Sequence, residues 1–222
     1  MFDKVKGKLI VSCQALEDEP LHSPFIMSKM ALAAKEGGAA GIRANSADDI
    51  RAIKAETGLP VIGIVKRDYE GSEVYITPTK KEIDELFAVK PDMIALDATG
   101  RKRPGGETLS GLIGYIHEAG LPVMADISTY EEGLQAARLG ADCVSITLSG
   151  YTSYSPKQEG PNFALLKKLV EALAIPVFAE GHINTPAEAK KALEFGAFAV
   201  VVGSAITRPQ LITRKFAEAM RA

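Results

Sequence analysis

Short apolar runs alternate with longer segments of helical periodicity along the chain. Two themes introduce the short runs. One is a Leu/Ile-Pro-Val step, at Leu59-Pro60-Val61, Leu121-Pro122-Val123 and Ile175-Pro176-Val177. The other is a Gly-Ala or Pro-Asp turn, at Gly38-Ala39, Pro91-Asp92, Gly140-Ala141 and Gly196-Ala197. The two themes alternate, as expected of one supersecondary unit repeated along a chain. The pattern predicts eight strands, near 8–13, 40–44, 61–66, 93–97, 122–126, 142–147, 176–180 and 198–202. It predicts helices over 24–35, 47–56, 80–89, 108–118, 130–139, 162–173, 186–195 and 209–220.

Several of these helices open with capping chemistry: Thr79 before Glu82, Thr129 before Glu131-Glu132, and Thr185 before Pro186. Gly37, Gly120, Gly140 and Gly196 are expected to close helices in the left-handed conformation. The strand-like runs lack clean period-2 alternation. Parallel strands read this way when helices cover one face and a barrel interior fills the other. The predicted fold class is α/β, a single (β/α)8 TIM barrel with residues 1–222 as one domain. A doubly wound open sheet accounts less well for eight near-equal units, and no Gly-x-Gly-x-x-Gly follows the first strand.

Composition narrows the function classes. A net charge of -2 carries no basic footprint, so no nucleic-acid partner is expected. The longest apolar runs, such as 198–202, are too short to cross a bilayer, and no membrane partner is expected. Residues 1–14 lack a secretory pattern, which predicts a cytoplasmic protein. Cys13 and Cys143 stand in apolar stretches without CxxC spacing or nearby histidines. They are expected to be buried free thiols, and no metal site is expected.

In this fold the chemistry lies at the C-terminal ends of the strands. The predicted strands end in Gln14, Arg43, Lys66, Asp97, Asp126, Thr147 and Glu180, and the eighth ends in Gly203-Ser204. The loops after strands 7 and 8 are frequent phosphate sites in barrels. Here Gly181 and Gly203 allow backbone to approach an anion, Ser204 can donate, and Arg208 stands just beyond. Lys66 and Glu180 end strands that are four apart in a ring of eight, so they face each other. Epimerisation beside a carbonyl removes a proton from one face and delivers one to the other, which suits such a pair. Burial and Arg43 would lower the Lys66 pKa. The bland alternative is a structural ion pair of Lys66 with Asp97 or Glu180. Asp126 can accept from sugar hydroxyls, while Gln14 and Arg43 can donate to a carbonyl or amide oxygen. The loops 98–106 and 150–156 read equally as lids or as packed surface. His22 and His182 fall near the mouth, whereas His117 falls on a helix.

Several segments together carry a more specific signal. They include Ser12-Cys13-Gln14-Ala15, Gly41-Ile42-Arg43-Ala44, Gly63-Ile64-Val65-Lys66-Arg67 and Tyr75-Ile76-Thr77-Pro78-Thr79. They continue with Leu96-Asp97-Ala98-Thr99, Met124-Ala125-Asp126-Ile127-Ser128, Ala179-Glu180-Gly181 and Val202-Gly203-Ser204-Ala205-Ile206-Thr207-Arg208-Pro209. In this order the chain resembles the N-acylglucosamine-6-phosphate 2-epimerases, also called N-acetylmannosamine-6-phosphate 2-epimerases. The resemblance spans essentially the whole length. It implies interconversion of N-acetylmannosamine 6-phosphate and N-acetylglucosamine 6-phosphate in sialic-acid catabolism. It implies proton transfer at C2 by Lys66, with Glu180 assisting. It further implies substrate contacts from Gln14, Arg43 and Asp126, and phosphate held near Gly181, Gly203, Ser204 and Arg208. No metal or organic cofactor and a homodimer are implied as well. Two other readings remain open on the residues: a Schiff-base aldolase with Lys66 as nucleophile, and a non-catalytic barrel that binds a phosphosugar.

Overall fold

The computed structural model describes residues 1–221. Eight parallel strands close into a barrel in chain order. They are β1 Leu9–Cys13, β2 Gly41–Asn45, β3 Val61–Ile64, β4 Met93–Asp97, β5 Val123–Asp126, β6 Cys143–Ser145, β7 Val177–Glu180 and β8 Val200–Val202. Closure is made by β8 against β1, with Val202 beside Val11. A four-residue helix, α1 Phe2–Val5, precedes the barrel. The helices between strands are α2 Pro24–Glu36, α3 Ala47–Thr57, α4 Lys80–Phe87, α5 Leu109–Glu118, α6 Tyr130–Arg138, α7 Phe163–Ala172 and α8 Pro186–Glu194. After β8 come the short α9 Ser204–Thr207 and then α10 Pro209–Ala219. A 3-10 turn covers Pro104–Gly106.

The predicted TIM barrel is therefore present, and its helices start where the capping residues placed them. Thr79, Thr129 and Thr185 each form a full capping box with the glutamate three residues on. Gly120, Gly140 and Gly196 take positive φ as expected. Gly37 does not: its φ is -73°, and the left-handed step falls one residue later, at Gly38 with φ 97°. Neither α1 nor α9 has a periodic signal in the sequence, because neither is long enough to carry one.

Each strand buries both faces, in two separate apolar layers. Val11, Cys13, Ile42, Ala44, Ile94, Leu96, Val144, Ala179 and Val200 belong to the outer layer, against the helices. Ile10, Ile62, Ile64, Met93, Ala95, Met124, Cys143, Phe178 and Val201 fill the interior. The alternation is thus real, but both sides are apolar and hydropathy cannot display it. Extending the interior parity along each strand leads to Ser12 and Gln14, Arg43, Lys66, Asp97, Asp126, Thr147, Glu180 and Gly203. That is why the polar strand ends converge.

The lower end of the barrel is plugged by α1. Val5 is fully buried within the interior layer. Gly41 makes room for it, since a Cβ there would lie 3.2 Å from Val5 Cγ1. The Gly7 N–H donates to the Phe198 carbonyl at 2.7 Å, fastening the plug to the chain entering β8.

The segment after β3 departs from a simple loop. Strand β3 stops at Ile64, short of the predicted 66. The chain turns back on itself, with antiparallel bridges Lys66–Ile76 and Tyr69–Ser72. The returning arm inserts between β3 and β4: Thr77 N–H donates to the Val65 carbonyl at 2.8 Å, and Asp97 N–H to the Ile76 carbonyl at 3.0 Å. Ile76 joins the interior layer.

Candidate active site

A cavity of about 300 Å³ opens at the C-terminal ends of the strands. Eight of the nine residues that the resemblance assigns to the site line it: Gln14, Arg43, Lys66, Glu180, Gly181, Gly203, Ser204 and Arg208; the strand-end Thr147 and the loop residue His182 line it too. Asp126 is not among the lining residues. It is fully buried and lies behind Arg43.

Arg43 is the centre of a buried polar network. Its Nη1 and Nη2 donate to Asp126 Oδ1 and Oδ2, at 2.9 and 2.5 Å. Nη1 also donates to Glu180 Oε2 at 2.8 Å. Thr147 Oγ1 lies 2.8 Å from Asp126 Oδ1 and 3.0 Å from Glu180 Oε2, and Ser145 Oγ donates to Glu180 Oε2 at 3.2 Å. The expectation that Asp126 accepts from substrate hydroxyls meets a carboxylate already engaged by a guanidinium, at zero exposure. Both terminal nitrogens of Arg43 are likewise committed to carboxylates. All of the Glu180 contacts fall on Oε2, which leaves Oε1 for the cavity.

Lys66 follows β3 and is anchored by its backbone, whose N–H donates to Asn45 Oδ1 at 2.8 Å. Burial, with the positive charges of Arg43 and Arg208 behind it, lowers the Lys66 pKa to about 8. Among the described residues it belongs to no ion pair. The neighbouring carboxylates are paired with arginines instead: Glu180 with Arg43, and Asp97 with Arg101 at 2.6 Å. Burial raises the Glu180 pKa against the pull of Arg43. The cavity therefore holds a lysine that is easily deprotonated and a carboxyl that is more easily protonated than usual, on strands opposite in the ring.

On the β7–β8 side the backbone comes close. A Cβ on Gly203 would lie 3.3 Å from Ser12 Cβ, and one on Gly181 would lie 3.3 Å from the Thr147 carbonyl oxygen. Gly181 has φ 100°. Ser204 begins α9, and Arg208 Nη1 donates to its hydroxyl at 3.3 Å.

Sequence reading missed Ser12, Tyr75 and Ile76, which also line the cavity. Ser12 carried a signal, since it shares the interior face with Gln14 and accepts from its Nε2 at 2.8 Å. Tyr75 and Ile76 enter through the returning arm after β3, which leaves no trace in strand periodicity. The loop 98–106 is packed down and lines none of the cavity. Asp97 Oδ1 accepts from Thr99 N–H at 2.9 Å, Glu132 Oε1 from Gly100 N–H at 3.0 Å, and the Lys102 carbonyl from Ser72 Oγ at 2.8 Å. In the loop 150–156, Ser155 Oγ accepts from Gly150 N–H at 3.0 Å, and Tyr154 OH donates to Glu132 at 2.5 Å. Tyr151 of that loop reaches the cavity and stacks on His182, with centroids 4.5 Å apart. Of the other histidines, His22 Nδ1 sits 3.1 Å from the Ala15 carbonyl and His117 pairs with Asp142. Among the described residues no group of three His, Cys, Asp or Glu side chains is arranged to hold a metal ion.

Residues 27–222 match a family model described as "Putative N-acetylmannosamine-6-phosphate epimerase". The chain belongs to the N-acetylmannosamine-6-phosphate epimerase family. Relatives described as "Putative N-acetylmannosamine-6-phosphate 2-epimerase" agree along their whole length. One from Clostridioides difficile strain 630 is 64% identical over 220 residues, covering 99% of each chain. Another, from Clostridium perfringens strain SM101, is 61% identical over 221 residues and covers 100% of both. The solved structure of the N-acetylmannosamine-6-phosphate 2-epimerase from Clostridium perfringens superposes with a TM-score of 0.97 at 60% identity, over 99% of this chain and 96% of that one. A thiamine phosphate pyrophosphorylase from Pyrococcus furiosus, at 22% identity and TM-score 0.64 over 93% of this chain and 89% of that one, shares the fold. Lys66, Glu180 and the two glycine loops are among the parts of this chain that face the cavity.

Proposed function

We propose that this epimerase-family chain interconverts N-acetylmannosamine 6-phosphate and N-acetylglucosamine 6-phosphate by moving the proton on C2. The observation that carries the reading is the pairing of Lys66 and Glu180 on opposite walls of one cavity, with oppositely shifted proton affinities. In the ring-opened sugar C2 lies next to the C1 aldehyde, so loss of its proton gives an enolate. Neutral Lys66 takes that proton on one face, and the Glu180 carboxyl returns one on the other. Lys66 is then charged and Glu180 ionised, and exchange with solvent resets both.

The remaining roles belong to the same reading. Gly181, Gly203, Ser204 and Arg208 hold the phosphate, where close backbone and a guanidinium suit a dianion. Gln14, beside Ser12 on β1, offers a donor and an acceptor to the sugar. Arg43 faces the cavity while Asp126 holds it in place, so Asp126 acts on the substrate through Arg43. No metal or organic cofactor enters this chemistry. The catalytic domain spans 1–222. Cytoplasmic location is part of the reading, supported by two buried free cysteines. A homodimer is supported by α10, which has no buried residue and leaves Phe216 70% and Met220 87% exposed.

The test is proton NMR of N-acetylmannosamine 6-phosphate with the protein in deuterium oxide, beside Lys66→Ala. Formation of the gluco epimer with deuterium at C2, absent in the variant, is the expected outcome. A folded protein giving neither epimer nor exchange sinks the reading. The low Lys66 pKa equally suits an imine-forming lysine. Borohydride reduction with substrate traps that adduct in an aldolase and gives none in an epimerase.

A further inference from the structure

The guanidinium of Arg208 is held along one edge by a carboxylate from the other end of the chain. Glu19 lies in the turn between β1 and α2. Its Oε2 accepts from Arg208 Nη2 at 2.8 Å, and its Oε1 stands 2.8 Å from Arg208 Nε. The second contact is an ion-pair contact off the N–H axis, since Nε has no hydrogen-bond partner. The Nε–Nη2 edge of the fork is therefore occupied. The remaining nitrogen, Nη1, is turned to Ser204 Oγ at 3.3 Å, on the cavity side.

Glu19 is itself fixed. The Leu16 N–H donates to its Oε2 at 2.9 Å, and Gln210 Nε2 donates to its Oε1 at 3.1 Å. The carboxylate is thus anchored to its own turn and to the first turn of α10. A long arginine side chain loses substantial rotamer freedom on being fixed. An arginine oriented before the ligand arrives does not meet that cost at binding.

We propose that Glu19 is a positioning residue for the phosphate group: it holds Arg208 by one edge so that Nη1 faces Ser204 and the Gly203 backbone. The inference rests on the reading that Arg208 and Ser204 take the phosphate. It assigns to the β1–α2 turn a part in phosphate recognition that none of its residues performs by contact. The cost of the arrangement is a negative charge near a dianion. The geometry places that charge on the edge of the guanidinium away from Ser204, so orientation outweighs repulsion.

Steady-state kinetics with N-acetylmannosamine 6-phosphate, and inhibition by inorganic phosphate, test this in Glu19→Ala, Glu19→Gln, Arg208→Ala and the Glu19→Ala/Arg208→Ala double variant. Glu19→Ala should raise KM and the phosphate inhibition constant together by about tenfold, with kcat changing less than about twofold, the signature of lost binding common to ground and transition states. Glu19→Gln keeps an acceptor and should recover part of the loss. In the Arg208→Ala background Glu19→Ala should add nothing. An unchanged or lowered KM in Glu19→Ala overturns the proposal, as does an equal effect with and without Arg208. If Arg208→Ala itself leaves KM and the inhibition constant unchanged, the phosphate reading fails first, and the two failures are separable.

Discussion

Arg43 on β2 and Asp126 on β5 lock together inside the barrel through two parallel hydrogen bonds, at side-chain exposures of 1% and 0%. A pair so deeply buried gains little over an apolar pair, but removing one partner strands the other charge in a dry interior. Glu180 joins the same guanidinium, so the pair also sets where a cavity carboxylate points.

Asp126→Ala should therefore destabilise the fold by about 3–5 kcal/mol in urea unfolding, the usual cost of breaking such a pair. It should also depress turnover through the freed Arg43. A change below about 1 kcal/mol would mean that water reaches the pair and screens it.

The low pKa of Lys66 makes two linked predictions. If neutral Lys66 is the base and the Glu180 carboxyl the acid, kcat/KM follows a bell in pH, with one limb set by Lys66 near 8 and the other by Glu180. The folded value lies below the usual 10.5, so the charged form is disfavoured in the fold. Folding then carries a cost below pH 8 that fades as pH climbs towards 10.5. Lys66→Met should be inactive yet more stable than the parent at pH 7, with the gap closing near pH 10. Thermal unfolding across that range checks it. A variant less stable at every pH would show that the amine is well solvated.

Glu180→Gln separates two proton donors from one. With Lys66 intact, deuterium exchange at C2 should persist while epimer formation falls by about 100-fold or more, as for loss of a general acid. Loss of exchange together with turnover would make Glu180 necessary for the first proton step.

Asp49 offers a pH-linked prediction away from the cavity. Burial raises its pKa from 3.8 to about 6. Its ionised form is penalised in the fold, so the Asp49 contribution to stability should increase as pH falls from 6 towards 3.8. Asp49→Asn should raise the unfolding midpoint at pH 8 and lose that advantage below pH 6. An equal shift at all pH values would point to packing instead of charge.

Gly63 probes the outer layer. A Cβ there would meet Pro91 Cβ at 2.9 Å, Ile50 Cδ1 at 3.0 Å and Leu86 Cδ2 at 3.1 Å. Gly63→Ala should cost about 1–3 kcal/mol by overpacking. Gly100→Ala, with nothing within 4 Å and an ordinary φ, is the control and should be near neutral. Chemical denaturation of the two variants decides the point.

Much of this architecture can be read along the chain because it is local. Thr79, Thr129 and Thr185 find their capping partners three residues away. The polar strand ends follow from where each apolar run stops. What stays hidden depends on distant partners. Asp126 reads as a substrate contact until Arg43, 83 residues away, occupies it. Glu19 carries no signal of its pairing with Arg208, 189 residues on. Gly37 and Gly38 both permit a left-handed turn, and α2 runs to Glu36, one residue past the predicted 35, so Gly37 caps it in the right-handed conformation and the left-handed step falls at Gly38. Lys66 reads as a residue of β3 facing β4, although it lies past the end of β3 on a hairpin whose returning arm has taken the place of β4 beside it.

The plug formed by α1 makes the barrel a vessel with a floor. The packed interior layer, which Val5 continues to the end remote from the cavity, leaves sugar one orifice for arrival and departure. The proton lifted from C2 must leave by that same orifice or return to the carbon. A bound sugar is then also a stopper: the product takes the solvent hydrogen already held on Glu180, and the hydrogen parked on Lys66 is washed out only as often as the stopper loosens. Isotope washout in this enzyme would time the door.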